Sequence, residues 1–394
     1  MSGSRAVIWR SHLLPGSETF VRGQGDALTR WRPHYLGAVR VASPVARNSD
    51  VVAFADDPRG RVELLGLKLT GRSARLDAAL AGLRPDLVHA HFGGDGWLVS
   101  GSARRLGVPL VVTLHGQDVT RQPARPGARG ARARRHLRQA FDRAALIIAV
   151  SEFIRDRAVA LGADPAKVRV HHTGVPIPPP VRETPKQWDV IFVGRFVAKK
   201  GVDDLVEAAG MLPAARRPRL LFVGDGPLEA AARQRAAELD LDATFLGAQS
   251  PEAVRRHLAA SRILAAPSRT APDGDCEGLP TTILEAGAAG LPAVATYHSG
   301  IPEAVRHGET GLLGAERDRA ALAEHLDALL GDEALRARLG AAAREHVEAH
   351  FDLHRQTGRL EELYDAVLAG AASTTGGRGP GRPVDPAAVR RRPS

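Results

Sequence analysis

The stretch from Cys276 to Ala286 reads CEGLPTTILEA, with two carboxylates, Glu277 and Glu285, bracketing a Gly-Leu-Pro turn and the start of a helix. Gly278 permits backbone angles closed to other residues. Pro280 suits a first helical position, because its φ is pre-set and its missing N–H would go unpaired there. The pattern predicts a helix from Thr281 to about Ala289. Its free N–H groups and partial positive charge suit a phosphate. Glu285 falls about one turn inside this helix and Glu277 stays in the loop before it. A diphosphate on the helix end and hydroxyls on the carboxylates are the ligand chemistry this arrangement favours. Either glutamate alone would be an ordinary solvated residue; the Gly-Leu-Pro insert and the segment upstream single the pair out. Ile263 to Ala266 is an apolar run closed by Pro267-Ser268, the pattern of a buried parallel strand. Open α/β sheets bind ligands where a helix begins beyond the carboxyl end of a strand.

The same grammar runs through the chain. In the first half Ala6–Trp9, Leu87–Ala90, Leu110–Leu114 and Leu146–Val150 read as strands. A loop is expected over Ser11–Thr19 and an amphipathic helix over Phe20–Trp31. The later strands end in polar clusters: His91-Phe92-Gly93-Gly94, His115-Gly116-Gln117-Asp118 and Ser151-Glu152. Asp118 fits the cap of the helix that follows it. Gly174 to Gln187 holds five prolines and reads as an extended, semi-rigid linker. The pattern then restarts with strands at Val190–Val193, Leu220–Val223, Ala243–Leu246, Ile263–Ala266 and Ala293–Thr296. Helices are expected at Val202–Ala209, Leu228–Leu239 and Pro251–Ala260, with the last ones spanning about Arg317–Val367. Strand, polar loop and helix in repetition mean an α/β fold: two doubly wound parallel sheets, joined by a Pro-rich hinge.

Composition narrows the function. With 394 residues and 44% hydrophobic side chains the chain builds sizeable cores. No apolar run approaches the roughly 18 residues of a spanning helix, and no secretory signal is legible at the N-terminus. One cysteine, Cys276, excludes internal disulfides and fits a cytoplasmic setting. No His/Cys cluster accompanies it, so no metal is expected. The net charge of +10 is carried by arginine: Arg121 to Arg143 holds eight arginines and one acid, Asp142. A second basic stretch, Arg378 to Arg392, lies in a Gly/Pro-rich tail. Codon bias, an anionic membrane surface or lipid-phosphate acceptor, and nucleic acid all compete to explain this charge. Nucleic acid ranks last, since only 4% of residues are aromatic and no recognised motif for it is present.

Three further groups join the carboxylate pair. VGRFVAKKG, from Val193 to Gly201, follows a strand and offers Arg195 as a planar fork and Lys200 as a point charge to a diphosphate. VGDGP, from Val223 to Pro227, fails as a dinucleotide fingerprint because it lacks a third glycine. LPGSETF, from Leu14 to Phe20, is a short loop able to close over a ligand, with Gly16 giving a backbone N–H close access. Asp273-Gly274-Asp275 has the spelling of a metal motif but stands in the insert before Glu277, and reads as loop.

From VGRFVAKKG through FVGDGPL, FLG, APS, EGLPTTILEAGAAGLPAV and SGIPEAV to HGETGLL, these motifs stand in order over roughly residues 188 to 314. In that order and spacing they resemble the C-terminal half of the family-four retaining glycosyltransferases. LPGSETFVRGQGDAL, HAHFG and TLHGQD extend the resemblance to the first half. SETF together with DGDCEGLP and YHSGIPE resembles the subgroup of bacterial exopolysaccharide assembly. The resemblance implies the GT-B fold and transfer from a UDP- or GDP-sugar to an acceptor hydroxyl, with no cofactor required. It also implies roles. Arg195 and Lys200 would neutralise the diphosphate, Glu277 would contact the transferred sugar, and Glu285 would bind the ribose. Backbone groups at Gly278, Leu279, Pro280 and Thr281 would hold a phosphate or sugar oxygen. Gly16 would lie near the diphosphate, His115 would face the sugar across the cleft, and Gly247 would lie beside the base. One departure, Gly287-Ala288-Ala289 in place of the commoner Ala-Met-Ala, is expected to alter packing rather than chemistry.

The domains expected are an acceptor-binding unit over 1–174, a hinge over 175–187 and a nucleotide-sugar-binding unit over 188–349. A terminal helix over 350–369 would return to the first unit, and a disordered basic tail would fill 370–394. A lipid-linked saccharide is the expected acceptor, with peripheral contact to an anionic membrane on its cytoplasmic face. A soluble secondary-metabolite acceptor, a nucleotide-sugar epimerase of the same fold, and a non-catalytic sugar-nucleotide-binding scaffold remain alternatives.

Overall fold

The computed structural model describes residues 3–16, 18–179 and 185–376 of the chain. Residues 180–184 of the expected hinge, Ser17, and the tail from 377 onward lie outside the described residues.

The first half folds as β1 (Arg5–Leu13), α1 (Thr19–Asp26), β2 (Arg32–Arg40), β3 (Val51–Val52), α2 (Pro58–Thr70) and α3 (Ala74–Leu83). It continues as β4 (Leu87–His91), α4 (Gly93–Arg105), β5 (Leu110–Leu114), α5 (Arg121–Ala124), α6 (Gly127–Arg143), β6 (Leu146–Ala149), α7 (Glu152–Ala160) and β7 (Val168–Val170). The second half repeats the plan with β8 (Trp188–Val193), α8 (Val202–Met211), β9 (Leu220–Val223), α9 (Glu229–Glu238), β10 (Ala243–Phe245) and α10 (Pro251–Ala259). There follow β11 (Ser261–Ala266), α11 (Thr281–Ala288), β12 (Ala293–Thr296), α12 (Ile301–Ala304) and β13 (Gly311–Gly314). Three helices close the chain: α13 (Arg319–Gly331), α14 (Glu333–His350) and α15 (Leu353–Gly376).

All strand pairs in both sheets are parallel. The first sheet runs β3-β2-β1-β4-β5-β6-β7 and the second β10-β9-β8-β11-β12-β13. Strand order therefore reverses between β1 and β4, and again between β8 and β11. At such a switch point the loops leaving adjacent strands diverge to opposite faces and open a crevice. Central strands are covered on both sides, so LVVTL in β5 is buried along its whole length. Val7 and Trp9 of β1 face one core, and Ala6 and Ile8 the other.

The chain end depends on the beginning. Val175 bridges to Asp352 as the chain leaves the first sheet, and α15 then lies across that sheet. Leu360 and Tyr364 are buried beside Ile8, Val21 and Trp31. The Tyr364 hydroxyl sits 2.5 Å from Nδ1 of the buried His89. Buried Glu361 accepts the backbone N–H groups of Thr29, Arg30 and Trp31 at 2.7, 2.7 and 3.1 Å.

That last contact corrects the expected Phe20–Trp31 helix. The helix α1 ends at Asp26 because a carboxylate more than 300 residues away holds the following amides in a non-helical turn. The chain then enters β2, which the sequence pattern missed; Pro33 near its start sits where a missing ladder N–H is tolerable. β1 also runs to Leu13, through residues expected to be loop, because β2 pairs with it as far as Leu13↔Arg40. Pro280 is the N-cap of α11 rather than its first residue. The helix α15 continues through Gly370, where composition alone placed the tail. The unusual Gly287 has a packing reason: a Cβ there would come 2.7 Å from Val347 Cγ2 of α14.

Glu361→Ala leaves three amide donors without their acceptor, which costs about 1–3 kcal/mol. The melting temperature of the variant is expected to fall by several degrees, measured by calorimetry against wild type.

Candidate active site

The two crevices face each other. From the first sheet come the loops after β1 (Glu18, Phe20), β4 (Phe92) and β5 (His115, Gln117); from the second come Gly194, Arg195, Lys199 and Lys200 after β8, and Glu277 to Thr282 after β11. Together they line a cleft of about 370 Å³, within the range of ligand sites.

Backbone meets backbone at the base of the cleft. A Cβ on Gly278 would lie 2.0 Å from the His115 carbonyl oxygen, and one on Gly116 would lie 3.0 Å from the Cys276 carbonyl oxygen. Gly116 also has φ +137°, a conformation that favours glycine. Ser151 donates its hydroxyl to the Gly278 carbonyl at 3.1 Å. Farther out Arg121 pairs with Asp273 at 2.6 Å, and both His172 Nε2 and the Glu152 amide reach Glu303, at 2.8 and 2.9 Å.

Charge is organised around Glu277. Its carboxylate lies 3.1 Å from Lys200 Nζ. Burial pushes its pKa up, but Lys200 first and Lys199 next outweigh this and hold it at about 2. Its backbone is fixed from the other side: the Glu277 N–H donates to His298 Nε2 at 3.1 Å, and His298 Nδ1 lies 2.6 Å from Glu316. Since Nε2 accepts, the ring proton sits on Nδ1 and points at the Glu316 carboxylate. Ser299 donates to the Glu277 carbonyl. Lys199 is buried against Asp275 Oδ1 and the Cys276 carbonyl, both at 3.2 Å. The Asp273-Gly274-Asp275 loop therefore spends its carboxylates on Arg121 and Lys199. Arg195 is exposed in the cleft and pairs with no carboxylate among the described residues. The amides of Gly278, Leu279, Thr281 and Thr282 donate to nothing among the described residues, so this wall presents open N–H groups beside two cations.

The opposite wall is aromatic, with a neutral imidazole at its centre. His115 packs against Phe20, Phe92 and His91, with ring centroids 5.0, 4.6 and 5.2 Å away. Its Nε2 lies 3.0 Å from His91 Nδ1. Burial first, then the Arg10 charge, pushes the His115 pKa well down, so this imidazole hydrogen-bonds without carrying positive charge. Arg10 organises the wall. It grips Glu18 through two contacts of 2.6 and 2.5 Å, pairs with Asp95, and lies 4.3 Å over the Phe92 ring. Asp118 does not cap the following helix. It accepts from the Gly93 amide at the start of α4 and from the His115 and Gly116 amides, at 3.0, 3.2 and 2.9 Å.

Of the residues singled out by sequence, Glu277, Arg195, Lys200, His115, Gly278, Leu279, Pro280 and Thr281 converge on the cleft. Three stand outside its lining. Glu285 is one turn farther along α11, half-buried, with Arg255 as its nearest charge influence. Gly16 is exposed in the turn after β1, and Gly247 (φ +68°) follows β10, accepting from the Gly224 amide at 2.9 Å. Sequence reading missed Lys199 and Arg10. Lys199 carried a signal in the doubled lysine; Arg10 carried none, because its partners lie on three separate segments.

These features define a two-domain GT-B protein with its site between the lobes. Residues 16–177 match the family model described as Glycosyltransferase Family 4, and residues 177–346 match Glycosyl transferases group 1. The amylovoran biosynthesis glycosyltransferase AmsK of Erwinia amylovora is 31% identical over 72% of this chain and 70% of its own. The putative colanic acid biosynthesis glycosyltransferase WcaL of Escherichia coli is 31% identical over 77% of this chain and 78% of its own. Among solved structures, Anabaena Alr3699/HepE in complex with UDP and glucose superposes with a TM-score of 0.73 at 19% identity, over 92% of this chain and all of that one. The chain belongs to glycosyltransferase family 4, in the group of exopolysaccharide-type enzymes.

Gly278→Ala forces the lobes apart at the seam, so its radius of gyration in small-angle scattering is expected to exceed that of wild type, with unchanged circular dichroism. Glu285 has its own signature. Burial raises its pKa from 4.5 to about 7, so its protonated form favours the folded state. The contribution of Glu285 to stability is therefore greatest below pH 4.5 and declines as pH rises through about 7. Relative to Glu285→Gln, the ligand-free protein is expected to lose about 2 kcal/mol across that window, read from denaturant melts at stepped pH.

Proposed function

We propose that the chain moves a sugar from a nucleoside diphosphate sugar to an acceptor hydroxyl, with retention at the anomeric carbon. The observation that carries this reading is the cluster of Arg195, Lys200 and the unpaired amides of Gly278, Leu279, Thr281 and Thr282 around a buried, ionised Glu277. The barrier to glycosyl transfer is departure of a charged diphosphate from an oxocarbenium-like sugar. Preorganised positive charge at the leaving group lowers that barrier most. Arg195, Lys200 and the α11 end supply it from protein groups, so no metal or cofactor is assigned a role.

Lys200 exchanges its contact with Glu277 for the diphosphate when donor binds. Glu277, ionised throughout the physiological range, then accepts hydrogen bonds from the sugar hydroxyls. Glu285 receives the ribose hydroxyls, Gly247 lies toward the base, and the Gly16 turn approaches the diphosphate from the facing lobe. Neutral His115 offers the sugar a hydrogen bond without competing as a cation for the phosphate. The acceptor hydroxyl attacks from the face the diphosphate leaves, and the departing phosphate oxygen takes its proton. The seam at Gly116 and Gly278 excludes water while this happens.

We assign donor binding to the second lobe and acceptor binding to the first. The exopolysaccharide-type relatives favour a lipid-linked saccharide acceptor, met at the cytoplasmic face of a membrane.

Lys200→Ala, Arg195→Ala and Glu277→Ala are each expected to lower acceptor-dependent release of nucleoside diphosphate by about 10²–10³-fold, with the fold retained by circular dichroism. The donor comes first from a thermal-shift panel of UDP- and GDP-sugars. Wild-type turnover in the Lys200 or Glu277 variant would remove those roles, and product of inverted anomeric configuration by NMR would end the retaining assignment.

A further inference from the structure

The helix α2 carries an aliphatic ridge that no described residue covers. Val62, Leu65 and Leu69 are 69%, 55% and 59% exposed, and at 100° per residue they fall within one narrow stripe of the helix. The opposite side of α2 does the structural work, with Leu67 fully buried. Scattered exposed leucines need no explanation, but three in a row on one face mark an interaction surface.

The surroundings of this ridge are cationic. Arg132 of α6 donates to the Lys68 carbonyl and so ties the arginine-rich helix to the end of α2. None of the arginines between 125 and 143 pairs with a carboxylate among the described residues, whereas Asp56, Glu63 and Asp77 nearby are each engaged by an arginine of another segment or turn. The His136 ring, flanked by Arg132 and Arg135, is pushed down to about 4 by burial and by those two charges. The face is thus an aliphatic ridge beside a net positive field, with Asp142 the one acid on α6.

We propose that this face, α2 together with the exposed side of α6, docks the protein on an anionic lipid bilayer. The aliphatic side chains enter the acyl boundary, and Arg129, Arg132 and Arg135 meet the headgroup phosphates. Charge complementarity selects this occupant. A second copy of the chain would bring the same positive field against itself, and a nucleic acid would leave the aliphatic ridge without a role. The helix α6 leads back through α5 to the loop that carries His115, so docking holds the acceptor-side lobe at the surface where a lipid-linked acceptor resides. This deepens the membrane part of the function proposed above.

The test needs no substrate and therefore stands apart from the transferase assignment. Full-length protein is floated with phosphatidylglycerol-containing vesicles and with pure phosphatidylcholine vesicles. Wild type is expected on the former and not on the latter. Val62→Gln, Leu65→Gln and Leu69→Gln combined keep every charge, including those of the basic C-terminal segment, and should weaken flotation by about tenfold or more. Arg129→Ser, Arg132→Ser and Arg135→Ser combined should weaken it comparably and flatten its salt dependence. The proposal is overturned if wild type stays off the anionic vesicles, or if the aliphatic variant floats as wild type does. A wild-type dimer that the aliphatic variant converts to monomer would assign the ridge to self-association instead.

Discussion

Two glycines pressed against opposing backbone set the geometry of the whole molecule. Gly278 lies under the His115 carbonyl and Gly116 under the Cys276–Gly278 backbone. No side chain intervenes, so the loops that leave the two sheets at their switch points approach as closely as backbone allows. That approach brings the aromatic wall around His115 within reach of a cationic one. A side chain at either glycine would hold the walls apart and open the base of the cleft to water.

Around this seam each wall is stiffened by a buried ionic or hydrogen-bonded core. On the second lobe the Glu316–His298 contact holds the Glu277 backbone while Lys200 holds its carboxylate. On the facing side Arg10 binds Glu18 and Asp95 at once, and Asp118 gathers amides from two loops. Buried ions are costly unless every partner is in place. The ion pairs of both networks are formed and fix their loops, while Glu277 Oε1 faces Lys200 as an ion pair and has no hydrogen-bond partner among the described residues. The helix α15 adds a longer constraint: starting from the second lobe, it covers one face of the first sheet with Tyr364 and Leu360 and anchors the turn before β2 through Glu361.

Much of this was legible in order. Strands such as Leu110–Leu114, Leu220–Val223 and Ala293–Thr296 stand where their apolar runs placed them, because a strand buried on both faces is built mainly from apolar residues. The second-lobe wall of the cleft was legible too: Gly278, Pro280, Glu277 and the neighbouring cations lie within short segments, and short segments are what local patterns describe. β2 was missed for the converse reason. RPHYLGAVR carries proline, cations and little apolar periodicity, and its strand state is decided by pairing with β1.

The sequence by itself determined the alternation of strand and helix, the two switch-point loops and the chemistry gathered on the second of them, since each follows from residues a few positions apart. Tertiary structure alone decided where α1 stops, which groups Arg10 and Asp118 organise, and how narrowly the two lobes meet. In each of those cases at least one deciding partner lies tens to hundreds of residues away, and only the folded chain brings it within hydrogen-bonding range.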